Sequence, residues 1–380
     1  MQKYLKNLSL YQHIDRKNFD ALVKKWNMDK GVTKFKTWEL TCALVTSFVL
    51  KLSSYREVEL SLGIARSTFS DSLIKRSYGF YHDLCDQVLL DIYKHTFSRK
   101  IKKAVREILA IDSSEIQVHG SLFSIPFWKK KFCSGNQAAA KLHVVWNVCG
   151  EWVEDFLITP GRKNDSPVAS LLKLLSGKTY VFDRAYNDLS FWYKITCAGS
   201  HFVTRLKNVP RNKMKLAIAK TKKSKRCRIL YDGIYKPQKT TLLRHSHVPK
   251  DIEFRHIIYR DPETKKIFHF VTSDFKASAT EIAGIYKKRW AVELLFKWLK
   301  GHLNIRYLAS RSVNAVKTQL AISILVQLLL QLKKLKENFS GTLWELLRLI
   351  RSALIQVSLQ QSTSPGDCRW ESFTGEELTI

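Results

Sequence analysis

Glycine and proline are scarce in this sequence. There are 15 Gly and 8 Pro among 380 residues, which excludes a collagen-like chain and a linker-like chain. The seven Cys are scattered, and none belongs to a CxxC pair. This pattern excludes a disulfide framework and a zinc ribbon, and it predicts a reducing compartment.

Long apolar runs are also missing. The longest are Trp38–Leu52 and Leu320–Leu332, and both are shorter than the ~20 residues that span a bilayer. Both carry polar residues, so both are predicted to be core helices. The segment Met1–Leu10 lacks the apolar stretch of a secretory signal, so a cytoplasmic protein without a membrane partner is expected.

Acidic residues are few compared with basic ones. The 33 Asp and Glu stand against 64 Lys and Arg, which gives a formal net charge of +31. A polyanion would offset this self-repulsion, so DNA or RNA is the favoured partner and an anionic membrane surface is the alternative. The 20 Phe, 14 Tyr and 10 Trp exclude a chain that is disordered throughout. The length fits about two or three domains.

Residues 1–104 are predicted to form an all-helical DNA-binding region. Two helices flank Gly63, and Ser67 is the expected N-cap of the second helix. This layout is typical of a helix-turn-helix, whose second helix would present Arg66 and Lys75 to DNA. An ordinary helical hairpin with a solvated basic face would have the same pattern, so that alternative stays open.

From residue 105 the pattern becomes α/β. Three strands, a helix, a strand, a helix and a strand follow in the order of a ribonuclease-H-like sheet. A basic run, Lys213–Arg228, then opens an inserted β-subdomain and would either flank DNA or form a solvated loop. The predicted divisions are 105–207 for the first part of the catalytic domain, 208–275 for the inserted β-subdomain, 276–308 for the catalytic helix, 309–362 for C-terminal helices and 363–380 for a loose tail.

Two aspartates stand at unusual places in predicted strands. Asp112 lies in the apolar strand Ile-Leu-Ala-Ile-Asp, and Asp183 ends the strand Tyr-Val-Phe-Asp. A carboxylate buried in a strand is costly unless it is paired or bound to a metal. Two such acids on adjacent strands could share a divalent cation, and oxygen ligands suit Mg²⁺ or Mn²⁺. Each alone could instead cap a turn at the end of its strand.

A third acid lies on a predicted helix rich in Trp, Leu and Phe. At about 100° per residue, Tyr286, Arg289, Glu293 and Lys300 fall within an arc of about 60°. One acid thus lies among a phenol and two cations. The alternative is a surface helix on which Arg289 and Glu293 form an ordinary i, i+4 ion pair.

These motifs resemble those of prokaryotic DDE transposases of the IS4 family. Tyr286, Arg289, Glu293 and Lys300 match that family's Y-x2-R-x3-E-x6-K signature residue for residue. The sequence Ile-Asp-Ser-Ser at 111–114 resembles the motif of the first catalytic aspartate, and Phe-Asp-Arg-Ala-Tyr at 182–186 resembles the second. The resemblance covers about residues 1–335.

The resemblance implies a catalytic triad of Asp112, Asp183 and Glu293 that also binds the metal, Mg²⁺ with Mn²⁺ as a substitute. Two ions held this way would support in-line phosphoryl transfer. It further implies that Tyr286, Arg289 and Lys300 contact DNA phosphates. The implied partners are double-stranded DNA, as terminal inverted repeats and target, and a homodimer or higher synaptic complex at the bacterial nucleoid.

Other DNA-contact candidates are less specific. Trp290 and Trp298 would stack on an unpaired base of a hairpin intermediate, or would pack in the core. Arg184 and Tyr186 directly follow the second aspartate, whereas Lys141 on the second strand would reach phosphate or remain solvated. Two alternative functions stay open: a metal-dependent DNA nuclease of the same fold, and a domesticated DNA-binding protein without catalysis.

Overall fold

The computed structural model describes residues 9–98, 106–118, 138–206, 228–305, 308 and 312–362. Except for its last residue, the basic run Lys213–Arg228 lies outside the described residues, and so does the predicted tail at 363–380. A 3₁₀ turn at Leu10–His13 precedes five helices: α1 (Arg16–Lys25), α2 (Thr37–Leu50), α3 (Tyr55–Leu62), α4 (Arg66–Lys75) and α5 (Tyr78–Ser98).

Helices α3 and α4 form the predicted pair around Gly63. Helix α3 follows its N-cap Ser54 and ends at Leu62; the C-cap is Gly63, whose φ of +67° suits a residue without a Cβ. The prediction of Ser67 as the next N-cap is wrong, because α4 already begins at Arg66. A carboxylate of the preceding helix, Glu59 Oε1, accepts a hydrogen bond from Arg66 N at 3.3 Å instead.

An eight-stranded mixed sheet follows, in the spatial order β3-β2-β1-β4-β5-β8-β7-β6. The strands are β1 (Ile108–Val118), β2 (Ala138–Asn147), β3 (Trp152–Pro160), β4 (Thr179–Phe182), β5 (His201–Arg205), β6 (Ile229–Tyr235), β7 (Phe254–Arg260) and β8 (Ile267–Thr272). Strands β1 to β3 form an antiparallel meander, while β4 is parallel to both β1 and β5. Between them lie α6 (Asp165–Ala169), a 3₁₀ turn (Arg184–Tyr186), α7 (Leu189–Cys197) and α8 (Lys239–Arg244).

The strands of the segment 208–275 belong to this same sheet. Strand β8 pairs with β5 in antiparallel fashion, with Val203 opposite Thr272, and β7 and β6 extend the edge. Side chains of β8 join both core clusters, because Phe270 packs on one face and Val271 on the other. The described part of the segment therefore continues the central sheet, and its division from the catalytic domain as an inserted β-subdomain at 208–275 stays a prediction.

The predicted catalytic helix is interrupted. It consists of α9 (Ala279–Lys287) and α10 (Trp290–His302). At the junction the backbone bonds have three-residue spacing: Arg289 N bonds to Tyr286 O at 3.1 Å, and Val292 N bonds to Arg289 O at 3.3 Å. Such a tightened turn within a helix often marks a functional site. The regular spacing used to align Tyr286 with Glu293 therefore does not hold across the junction.

Two C-terminal helices complete the fold: α11 (Val313–Lys336) and α12 (Leu343–Ser362). Both long apolar stretches are core helices as predicted, since Trp38–Leu52 contributes most of α2 and Leu320–Leu332 lies in α11. Within the described ranges, α11 is the one helix whose length and composition would allow it to cross a membrane, and 83% of its most apolar window is buried inside the protein.

Helix α11 connects the N-terminal helices to the sheet through polar side chains. Asn314 Nδ2 donates to Arg76 O at 2.6 Å, and Asn314 Oδ1 accepts from Tyr78 N at 3.0 Å. Between three and four turns of helix further along, Gln327 Oε1 accepts from Val153 N at 3.2 Å. Each of these side chains bonds to a backbone group that has no partner in a helix or strand ladder. Helix α11 therefore fixes the N-terminal helices and the sheet to one core.

Substitution Asn314→Ala is expected to loosen the contact of α11 with the α4–α5 junction. The loss leaves half-buried backbone groups without partners, which costs roughly 1–3 kcal/mol. Urea unfolding should show a lower midpoint than for Asn18→Ala on the exposed face of α1, which should stay within about 0.5 kcal/mol of the parent. Equal midpoints for the two variants would contradict this role of Asn314.

Candidate active site

The register of two parallel strands places the two predicted aspartates side by side. The β1–β4 ladder runs up to the pair Ile111 and Phe182; Asp112 is the next residue on β1, and Asp183 directly follows the end of β4 in extended conformation. Neighbouring strands lie about 4.8 Å apart. Because side chains alternate along a strand, both aspartates point to the face on which Ala110 packs, two residues before Asp112.

Helix α10 covers this face of the sheet and supplies the third acid. Its apolar side packs into the same core cluster through Val292 and Leu299, and Glu293 lies in its first turn. Arg289 at the tightened turn connects two of the acids: its Nη2 is 2.5 Å from Glu293 Oε1, and its Nη1 is 3.8 Å from Asp112 Oδ2. The structure therefore brings the acids of two elements together around one guanidinium.

The Asp112 carboxyl lies in an environment that disfavours its ionised form. Burial raises the pKa of Asp112 to about 6. The Ser113 amide and the Arg289 guanidinium lower this pKa, whereas the negative charges of Glu293 and Asp183 raise it. Three carboxylates thus interact at one place, which is the arrangement that a divalent cation relieves.

The second aspartate has its own basic neighbour. Arg205, at the end of β5, places Nη2 3.5 Å from Asp183 Oδ1. The Nε atoms of Arg205 and Arg289 are buried, and within the described part of the chain neither has a hydrogen-bond partner. Buried donors of this kind beside acids suit an anionic ligand such as a phosphate.

The donor set fits a divalent metal, although Arg289 now lies between two of the acids. The side chains of Asp112, Asp183 and Glu293 are 22%, 34% and 32% exposed, so solvent and ligands reach all three. Hard carboxylate oxygens are the ligands that Mg²⁺ and Mn²⁺ prefer. Of the residues described, the group whose ligand atoms all lie within 4.8 Å of one another is a different one, His82 with Asp83 and Asp86 on α5.

The two remaining residues of the signature are Tyr286 and Lys300. The ring of Tyr286 packs against Phe270 with centroids 4.9 Å apart, and the Arg205 guanidinium carbon lies 5.4 Å from the Tyr286 centroid. Lys300 is half-buried on α10, seven residues after Glu293. Seven residues make about two turns, so Lys300 shares the face of Glu293.

The two predicted tryptophans have different environments. Trp290 is 56% exposed and lines an open groove together with Tyr286 and Arg289. Trp298 packs partly against the main core, and its ring meets that of His302 at a centroid distance of 5.9 Å. Core packing therefore accounts for Trp298, whereas Trp290 is open to a ligand.

The remaining candidates are dispersed. Arg184 is exposed and lines an open cleft beside Arg205, but Tyr186 is buried. Lys141 Nζ lies 3.3 Å from an aspartate of the α6 segment, on the other face of the sheet. Arg66 and Lys75 lie on exposed parts of α4, and Arg66 forms an ion pair at 2.8 Å within its helix pair. None of these last three joins the cluster of acids.

Two residues at the site were not predicted. Arg205 ends the strand His-Phe-Val-Thr-Arg, and a basic residue after an apolar strand was the available signal. Asp165 begins the short helix α6 and accepts a hydrogen bond from the serine next to Asp112. Nothing in its local sequence distinguishes Asp165 from an ordinary residue at a helix start.

These features define a class: a mixed α/β protein whose central sheet and covering helix carry a centre of three carboxylates. The family model described as "Transposase DDE domain" matches residues 103–329. The chain belongs to this family, which confirms the resemblance inferred from the Tyr286–Lys300 signature. A second model, described as "Domain of unknown function (DUF4372)", matches residues 8–68.

Three curated relatives are named as transposases. A putative transposase y4zB of Sinorhizobium fredii is 29% identical over 235 residues, 62% of this chain and 63% of that protein. A probable transposase for insertion sequence element IS5377 of Geobacillus stearothermophilus is 30% identical over 197 residues, 52% of this chain and 50% of that protein. A putative transposase for insertion sequence element IS4SA of Synechocystis is 23% identical over 299 residues, 76% of this chain and 78% of that protein.

The matched part of the chain thus spans about half to two thirds of the first two relatives. Among solved structures, a piggyBac transposase synaptic complex with hairpin DNA aligns with a TM-score of 0.49 and 11% sequence identity. That alignment covers 97% of this chain and 84% of the other.

Substitution Asp112→Asn is expected to stabilise the metal-free protein at about pH 7.5. Since burial raises the pKa of Asp112 from 3.8 to about 6, the ionised carboxylate costs folding free energy, on the order of 1–3 kcal/mol. The gain should reach its full value above pH ~7 and vanish below pH ~3, where the carboxyl is protonated in the folded and unfolded chain alike. Urea unfolding in chelator at both pH values measures it, with exposed Asp20→Asn as the control. A loss of stability at pH ~7.5 would show that pairing with Arg289 outweighs burial.

Proposed function

We propose that the protein is a DNA transposase that binds terminal inverted repeats, cleaves the ends of its element and joins them to target DNA. The observation that carries this proposal is the convergence of Asp112, Asp183 and Glu293 in a chain of the transposase DDE family. The succession of three antiparallel strands, helix, strand, helix and strand supports a ribonuclease-H-like core for this centre.

The three acids would hold two divalent ions, Mg²⁺ with Mn²⁺ as a substitute. Bound ions would activate the attacking oxygen and stabilise the leaving oxygen of an in-line displacement at phosphorus. The chain fixes two of the ligands by backbone donors: Ser113 N donates to Asp112 Oδ1 at 2.8 Å, and Arg184 N donates to Asp183 Oδ1 at 2.6 Å. Carboxylates oriented in advance lose less entropy when they bind a cation.

Arg289 has a second role in this scheme. In the metal-free site its guanidinium supplies the positive charge between Asp112 and Glu293. Loading of divalent ions would replace that charge and release Arg289 toward a DNA phosphate, for which a planar guanidinium is well suited. The tightened turn that carries Arg289 gives it this position at the edge of the acids.

Basic side chains beside the acids would guide the DNA backbone. An open cleft next to Asp183 is lined by Arg184, Arg205 and Lys266. Lys300, on the same face of α10 as Glu293, would add a further phosphate contact, and the net charge of +31 favours the approach of DNA. The helical pair α3–α4, in the region 1–104, would add contacts to duplex DNA, and joining of two ends implies a dimer or larger synaptic complex in the bacterial cytoplasm.

Substitutions Asp112→Asn and Glu293→Gln are each expected to abolish Mg²⁺-dependent nicking while DNA binding is largely retained. The DNA is the fragment that flanks the gene, end-labelled, with nicking and joining of a free 3′-hydroxyl resolved on a denaturing gel. Asp188→Asn is a matched control, because Asn also caps helices well and Asp188 caps α7 beside the site. Cleavage without joining would identify a nuclease, and cleavage retained by Glu293→Gln would refute the proposed centre.

Substitution Lys300→Ala is expected to weaken DNA binding and to reduce the slope of log affinity against log salt by about 0.9. The physical reason is that one phosphate contact fewer releases about one counterion fewer. Lys94→Ala, at an exposed position of α5 where Lys94 pairs with Asp91, is the control and should leave the slope unchanged. An unchanged slope for Lys300→Ala would remove this lysine from the phosphate contacts.

A further inference from the structure

A polar network lies on the face of the sheet opposite the three acids. Ser113 points to that face, and its Oγ donates to Asp165 Oδ1 at 2.7 Å. The same carboxylate oxygen lies 3.3 Å from Lys141 Nζ and 3.7 Å from His143 Nδ1. Burial lowers the pKa of His143 to about 4, so the imidazole is neutral near pH 7 and Lys141 supplies the charge that balances Asp165.

This network is bonded to the strand of one proposed catalytic aspartate, and its helix lies against the turn that follows the other. On β1, Ser113 binds Asp165 through its hydroxyl while its amide N donates to Asp112 Oδ1 at 2.8 Å. Beyond β4, the 3₁₀ turn that follows the second aspartate ends at the buried ring of Tyr186. The short helix that begins at Asp165 packs against this turn.

The loop that carries Asp165 is itself held in place. Gly161 N donates to Ala139 O at 2.8 Å, and a Cβ on Gly161 would lie 2.8 Å from that carbonyl oxygen. Lys141 Nζ also donates to Lys163 O at 2.8 Å. These bonds hold the loop in place independently of the Asp165 carboxylate. A substitution of Asp165 is therefore expected to move its hydrogen-bond partners more than its own loop.

We propose that Asp165 is a positioning residue for the metal centre, acting through Ser113 on Asp112. This inference rests on the proposed function, because it assumes that Asp112 and Asp183 bind metal. Hydrogen-bond partners behind metal ligands typically change metal affinity by about 10–100-fold when they are removed. Asp165 contacts neither the metal nor the DNA in this arrangement.

The test is Mn²⁺ binding to the full-length protein, followed by electron paramagnetic resonance in the absence of DNA. We expect Asp165→Asn to bind Mn²⁺ about 10–100-fold more weakly than the parent, with DNA affinity and thermal unfolding nearly unchanged. Asp155→Asn is the matched control, since Asp155 on β3 also holds a loop, through Lys173 N at 2.9 Å, but has no contact with Ser113 in the described residues.

A second variant tests the route through the serine. Ser113→Ala should reproduce part of the loss, and the double variant with Asp165→Asn should lose less than the sum of the two, because both changes remove one connection. Additive losses would overturn this route. Parent-like Mn²⁺ affinity in Asp165→Asn would overturn the inference, as would equal losses of Mn²⁺ affinity, DNA affinity and thermal stability.

The variant Asp112→Asn distinguishes failure of the inference about Asp165 from failure of the proposed metal centre. If Asp112→Asn abolishes Mn²⁺ binding while Asp165→Asn has no effect, the inference fails and the metal centre stands. If the parent and Asp112→Asn bind Mn²⁺ alike, the metal centre fails and the inference fails with it.

Discussion

The site depends on one constraint: three carboxylates, those of Asp112, Asp183 and Glu293, lie close together in a partly buried position. Asp112 is buried enough to raise its pKa, and the charges of Glu293 and Asp183 raise that pKa further. Such a group of acids persists only with compensating positive charge. In the metal-free protein Arg289 supplies it from a turn in which the helical bonds are tightened. In the proposed function, metal ions would replace the positive charge of this arginine and release it.

The rest of the fold fixes the relative positions of the three acids. Parallel pairing of β1 with β4 sets the level of Asp112 and Asp183, and packing of α10 on the same face sets the level of Glu293. Helix α11 then joins the sheet to the N-terminal helices through Asn314 and Gln327. A DNA duplex bound at the helical region and cleaved at the acids would thus meet one continuous core, because both surfaces are fixed to α11.

Local sequence patterns predicted the acids individually. Asp112 and Asp183 stood out because an acid in an apolar strand is unusual, and Glu293 stood out through its spacing to Arg289. Their side-by-side placement depends on strand order, which one strand cannot reveal by itself. The interruption before α10 was missed because its backbone angles stay helical and only the hydrogen-bond spacing changes.

Long-range contacts account for the other differences. Local sequence predicted the strands of 208–275 as β-structure. Their membership of the central sheet depends on the pairing of β8 with β5, which local sequence does not reveal. The sequence indicated a solvated or DNA-facing role for Lys141. In the structure Lys141 pairs with Asp165, which is distant in sequence, on the face of the sheet opposite the three acids. Single polar residues in loops, such as Asp165, have no periodic signal, because their partners come from other elements.

The most direct test of the account is a crystal structure with Mn²⁺ and DNA, in which anomalous scattering locates the ions. The account predicts peaks coordinated by Asp112, Asp183 and Glu293, with the Arg289 guanidinium withdrawn from between the acids. Peaks confined to His82 and its neighbours, or an Arg289 that stays between Asp112 and Glu293 beside ordered DNA, would contradict it.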